Sequence, residues 1–308
     1  MSLRIVSFLP AATEMIFALG LGENLVGVSH ECDFPPQAKE KPTVVKPALP
    51  LDKMSLREID ESVSARLRNG KSLYQVDENL LRELAPDLIV TQALCQVCAP
   101  SGNEVTQVLK SLPKKPKILW LTPHSISQIF DNILQLGKTT ERIAEAEALI
   151  ANGRARLEKI SERTRELKNR PRIFGCEWVD PIYCCGHWVP EMIELAGGID
   201  SIARKGRDST RTAWDEVLQW APEIFVVSPC GFNLEKAIEQ TPQLFSKPGW
   251  RDLPAVKNDR VYAVDANSYF ARPGPRVVEG AELLAHLFHP EIFEWRGPSG
   301  AFQRVAAK

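Results

Sequence analysis

Net charge is almost missing from this chain: 38 Lys and Arg stand against 39 Asp and Glu, a formal charge of −1. So balanced a surface exerts little long-range pull, and neither nucleic acid nor an anionic membrane is expected as a partner. Long apolar runs are missing too, and no stretch approaches the ~20 residues that would cross a bilayer. The apolar opening, Leu3–Leu9 with Ile16–Leu19, is interrupted by Pro10 and Glu14. It reads as strand, turn and helix rather than as an export signal. Sequence repeats and low-complexity segments are not evident. Seven cysteines is an odd number, so at least one cannot pair internally. That suits a reducing compartment: the chain as written is expected in the cytoplasm, or in the periplasm or at the cell surface if a leader has been removed.

Proline is also missing from Lys138 to Arg170, where Gly153 is the one glycine. Ile143, Ala146, Ile150, Gly153, Leu157, Ile160, Thr164 and Leu167 recur at steps of three and four, which puts them on one narrow helix face. The other positions are largely Glu, Lys and Arg, a solvated surface. A continuous helix here would be roughly 45–50 Å long. Its spacing is heptad-like, but Ala146 and Gly153 would make a poor coiled-coil seam, and strands alternate with helices on both sides. The stretch is therefore expected to be a spine carrying two flanking domains.

The rest of the chain supports that frame. Strand-like runs such as Leu25–Ser29, Leu88–Thr91, Arg172–Trp178, Glu223–Ser228 and Arg260–Asp265 alternate with helices such as Val189–Leu195, Trp214–Trp220 and Leu234–Gln240. Strand–helix alternation implies parallel sheets covered on both faces. The expected fold class is α/β, two doubly wound lobes joined by a single long backbone helix. The boundaries fall at 1–135 for the N-terminal lobe, 136–170 for the spine and 171–308 for the C-terminal lobe. In such sheets ligands bind beyond the carboxyl ends of the strands.

The unusual polar and aromatic residues gather at those ends. His30, Glu31, Cys32 and Asp33 follow one strand, and Gln92, Cys95 and Cys98 another. In the second half come Cys176, Glu177 and Trp178, then Cys184, Cys185, His187 and Trp188, then Phe232, and finally Tyr269, Phe270 and Arg272. If the lobes face each other, these groups converge on one cleft. Trp178, Trp188, Phe232, Tyr269 and Phe270 lie in loops without apolar periodicity, which points to a flat apolar ligand wall rather than core. Arg272 could fork onto a carboxylate, amide or phosphate, or form a structural ion pair. His187, between Gly186 and Trp188, reads as a ligand contact. His30, Cys32, Cys95 and Cys98 could together hold zinc or iron, could supply a redox dithiol, or could be small buried groups lining loops.

Several stretches resemble the cobalamin-binding and iron-chelate-binding solute receptors of ABC importers, a class III periplasmic-binding-protein-like family. They are Arg4-Ile-Val-Ser-Phe-Leu-Pro-Ala-Ala-Thr-Glu14, Leu25–Ser29 with Asp33-Phe-Pro-Pro36, and Leu84-Ala-Pro-Asp-Leu-Ile-Val90. Pro248–Val256 with Arg260-Val-Tyr262, and Arg272-Pro-Gly-Pro-Arg276, extend the likeness over nearly the whole chain. The resemblance implies two α/β lobes on one long helix, a rigid interlobe cleft holding a corrinoid, haem or iron chelate, a monomer, and no catalysis. It also implies docking on an ABC permease through Glu104 and Glu216. His30-Glu-Cys, Cys95-x-x-Cys98, Gly186-His-Trp and Pro229-Cys-Gly depart from the family pattern, as does Ser268 where an aspartate is usual. They mark a Cys/His-rich branch in which His30 or His187 could be an axial ligand to cobalt. Two further readings stand beside this one: a non-transport metal-ion protein using the Cys/His cluster, and, last, an enzyme using a Cys thiolate or Glu177 as base.

Overall fold

The computed structural model describes residues 2–92, 109 and 112–306. The chain divides into two compact units, residues 1–123 with 127–151, and residues 124–126 with 152–308.

The first unit is built on a six-stranded sheet of β1 (Ile5–Ser7), β2 (Leu25–Ser29), β3 (Thr43–Pro47), β4 (Tyr74–Val76), β5 (Leu88–Thr91) and β6 (Lys117–Trp120), in the order β4-β3-β2-β1-β5-β6. Every neighbouring pair is parallel except β3–β4. Strands β1 and β5 are short, and all their residues are buried, as expected where helices cover both faces. Val6, Phe8, Val44, Val45, Leu81, Ile89 and Leu112 form a core beneath the sheet. The helix Leu56–Arg68 opens on a capping box, Ser55 accepting from Glu58 N–H while Glu58 accepts from Ser55 N–H at 2.8 Å.

The second unit carries β7 (Ile173–Val179), β8 (Ile182–Cys184), β9 (Thr210–Arg211), β10 (Ile224–Val227), β11 (Val261–Val264) and β12 (Phe302–Arg304), in the order β12-β11-β10-β7-β8-β9. Its parallel part is β11-β10-β7; β12, β8 and β9 pair antiparallel on the two flanks. The expectation of parallel sheets thus holds for the centres and not for the edges, where short antiparallel strands close the pattern. Trp250, 1% exposed, anchors the core, with Phe225, Phe245 and Trp214 rings 5.2, 5.8 and 6.1 Å away. Asp200, half-buried, sits among backbone donors, accepting from Gly175, Ile202 and Ala203 N–H at 3.0–3.1 Å.

The expected spine is shorter than Lys138–Arg170. One helix, Ile126–Thr139, ends first, and the long helix runs from Ile143 to Arg165, about 35 Å. Between them Glu141 adopts a left-handed φ of 59°, and Arg142 N–H bonds back to the Gly137 carbonyl at 2.7 Å. No periodicity in the charged sequence marks this break. Past it, the apolar seam is as read: Ala146, Ile150, Gly153, Leu157, Ile160 and Thr164 are buried, whereas Ile143 is 44% exposed. Arg156, on the flank of the seam, forks onto Glu282 and reaches Glu279 at 3.0 Å.

Candidate functional site

In the second unit the carboxyl end of β7 is irregular. Cys176 faces Cys184 on β8, but Trp178 faces Tyr183, so the register shifts at Glu177. Bulges of this kind re-aim side chains. Trp178 emerges half-buried, its ring 5.4 Å from that of Phe232. Phe232 comes from the turn after β10, where Gly231 takes the left-handed φ of 79°. Phe232 N–H bonds to the Pro229 carbonyl, and its own carbonyl accepts from Asn267 N–H, both at 3.0 Å. Tyr183 continues on the other side, paired across β8–β9 with Arg211, whose Nε donates to the Tyr183 hydroxyl at 3.1 Å. Tyr183, Arg211 and Lys236 were not among the residues singled out in the sequence. Tyr183 was hidden because Asp180-Pro181 breaks the apolar run before it, and Arg211 because a two-residue strand has no pattern.

Glu177 itself is half-buried, and desolvation pushes its carboxyl up. Gly186 leaves no room for a side chain: a Cβ there would lie 2.5 Å from both the Arg207 carbonyl oxygen and the Ser209 nitrogen. His187 follows with a φ of 54°, its N–H on the Arg207 carbonyl at 2.6 Å. Burial lowers the pKa of His187, with Asp208, 3.8 Å away and largely exposed, acting in the opposite sense. The His187 ring stacks on Trp188 and lies 6.1 Å from that of His124.

Three members of the expected aromatic wall are packing residues instead. Trp188 is 3% exposed and its indole N–H donates to the Phe270 carbonyl at 2.9 Å. Phe270 is 3% exposed, and Tyr269, 7% exposed, sits edge-on to Trp295. A loop position without periodicity does not distinguish a surface aromatic from one folded back over the sheet. Trp178 and Phe232 are the two that stay half-exposed. Arg272 is buried in the same segment, and Asp265 caps the short helix Ala266–Tyr269 before it, accepting from the N–H and hydroxyl of Ser268.

In the first unit His30 follows β2, its Nδ1 3.3 Å from the Val45 carbonyl and its ring 6.2 Å from that of Tyr74. Cys32 is 4% exposed and accepts from the Thr13 hydroxyl at 3.0 Å, the behaviour of a packed thiol. Cys95, Cys98 and Glu104 lie outside the described residues. Among the described residues no three His, Cys, Asp or Glu side chains come together as metal ligands. Glu216 is exposed in the first turn of the helix Trp214–Trp220.

Residues 5–268 match the periplasmic binding protein family. The chain belongs to that family. The vitamin B12-binding protein of Vibrio cholerae O1 is 28% identical over 288 residues, 91% of this chain and 87% of the relative. The uncharacterized ABC transporter substrate-binding lipoprotein YvrC of Bacillus subtilis is 26% identical, over 94% of this chain and 81% of its own length. Among solved structures, the periplasmic heme-binding protein RhuT of Roseiflexus sp. RS-1 superposes with a TM-score of 0.70 at 22% identity, covering 94% of this chain and 99% of its own. These relatives are periplasmic proteins or lipoproteins, so they give no support to the cytoplasmic placement read from the cysteine count. They fit a periplasmic binding protein and not a metal-ion protein. Among the described residues, no helix is long and apolar enough to cross a membrane.

Proposed function

We propose that this periplasmic binding protein is the receptor of an ABC importer and carries a corrinoid or a related metal chelate. The observation that carries the reading is the pairing of likeness with site. A chain similar over 91% of its length to a vitamin B12-binding protein presents a half-exposed Trp178–Phe232 pair at the carboxyl ends of β7 and β10. Stacked aromatic rings at a sheet's carboxyl edge suit the flat face of a macrocycle. Chemistry is disfavoured. Cys176 and Cys185 are buried with their thiols pushed up, so neither is a ready nucleophile. No resident cofactor is needed for this role; the chelate is cargo.

The permease would meet the receptor through exposed acids, of which Glu216 is the described candidate. That partnership places the protein where the relatives are, outside the cytoplasm, a placement that cell fractionation would check. Metal-free protein titrated with cyanocobalamin and with haem, followed in the visible spectrum and by calorimetry, should bind at least one at micromolar affinity or tighter. Absence of binding to both sinks the receptor reading. Glu216→Ala should leave that affinity unchanged while weakening stimulation of the permease ATPase a few-fold, the size of one exposed ion pair. A loss of ligand affinity would move Glu216 from the docking surface to the ligand site.

A further inference from the structure

The aromatic pair is the middle of a longer row. Across β7–β8 Trp178 faces Tyr183, and across β8–β9 Tyr183 faces Arg211. Register partners in a sheet present their side chains on one face. Arg211 confirms the geometry, its guanidinium carbon 5.9 Å from the Tyr183 ring centre and its Nε on the hydroxyl. At the other end the Lys236 ammonium stands 5.7 Å over the Phe232 ring. The sequence of groups is therefore cation, ring, ring, ring, cation: Lys236, Phe232, Trp178, Tyr183, Arg211. The three rings are half-buried, and both cations are exposed. Glu177, the acid next to Trp178, is half-buried, and desolvation pushes its carboxyl up.

Each half of this arrangement selects a different part of a ligand. The rings offer apolar faces to a flat conjugated surface. The cations, held near the rim of those faces, offer charge-assisted hydrogen bonds to anions on the same ligand, and Arg211 can do so in a two-pronged fork. A ligand rimmed with amides would gain from the rings and little from the charges. A ligand rimmed with carboxylates would gain from both. We infer that the row from Lys236 to Arg211 selects a planar macrocyclic chelate with free carboxylates on its edge over one whose edge acids are amidated. This rests on the receptor reading and narrows it: within the corrinoid and tetrapyrrole class, the rim charge decides.

The test compares a porphyrin dicarboxylic acid with its dimethyl ester, in the same detergent buffer, with cyanocobalamin as an amide-rimmed macrocycle. The diacid should bind about tenfold tighter than the ester, an advantage that shrinks as salt rises. In the double variant Arg211→Gln/Lys236→Gln the ratio of diacid to ester affinity should fall to about one, with far-UV circular dichroism unchanged. Equal binding of acid and ester, cyanocobalamin binding tighter than the diacid, or a ratio that survives the double variant overturns the inference while leaving the receptor standing. Failure of all three macrocycles to bind removes the receptor reading and the inference with it.

Discussion

The two sheets have six strands each and finish their edges differently. In the first unit five strands run parallel in sequence across the sheet and one antiparallel strand, β4, closes it. In the second unit three parallel strands are flanked on both sides by antiparallel ones. Parallel strands need long crossovers, so neighbouring strand ends come from distant parts of the chain. The β7–β8 hairpin needs almost none and sets Trp178 beside Tyr183, while β9 returns after the helix Val189–Leu195 to bring Arg211 alongside. The ends of β1 and β5 in the first unit are instead buried and polar: Ser7 and Thr91 are inaccessible and Gln92 is 3% exposed. Charge follows the same division. In the first unit Asp87, by its hydrogen bond with Lys114, and Glu58, by its bond to Ser55 N–H, are held below the usual carboxylate range, as is Glu145. In the second, desolvation pushes Glu177 and Asp200 up.

The sharpest way to break the comparison is through the second unit's core. Trp250→Ala removes the ring on which Phe225, Phe245 and Trp214 pack, and should cost about 3–5 kcal/mol, read as a fall in the urea midpoint. A cost under 1 kcal/mol would mean that this core is not what holds the unit. Acid separates the units next. Asp200, pushed up to about 6 by burial, binds its proton more tightly folded than unfolded. The stability it contributes is full below its ordinary value of 3.8 and is lost as pH rises to about 6. Asp87 works the other way: its stabilisation is present above the ordinary carboxylate range and lost as pH falls through its lowered pKa. Asp200→Asn should flatten the pH dependence of unfolding between about 4 and 6, and an unaltered slope would show that Asp200 does not titrate there. The smallest effect belongs to the first unit, where Ser55→Ala should cost about 1 kcal/mol by removing one arm of the capping box.

Much of this was legible in the sequence where local pattern and tertiary structure agree. The strands Leu25–Ser29 and Leu88–Thr91, and the helices Val189–Leu195, Trp214–Trp220 and Leu234–Gln240, fall where the apolar runs and turn residues put them. What was missed is short and at edges. Thr43–Pro47 lies among prolines, and Ile182–Cys184, Thr210–Arg211 and Phe302–Arg304 are two or three residues long. Such strands are made by their partners, so no periodicity reveals them. The helix Ile126–Thr139 precedes the charged run, and the turn at Glu141 between them leaves no mark in the sequence pattern. Within the site, residue type located Trp178 and Phe232 but could not separate them from Trp188, Tyr269 and Phe270. That separation depends on which way the chain folds back, as when the Phe270 carbonyl meets the Trp188 indole.

The unequal placement of the tryptophans gives the molecule its own optical probe. Trp188 and Trp250 are shielded from water and should emit at short wavelengths, whereas Trp178 is half in solvent, as are Trp120, Trp214, Trp220 and Trp295, and these should emit further to the red. A coloured chelate lying on the Trp178–Phe232 pair would drain part of that red emission. The share of the loss that disappears in Trp178→Phe would then report how much of it comes from the indole the ligand covers.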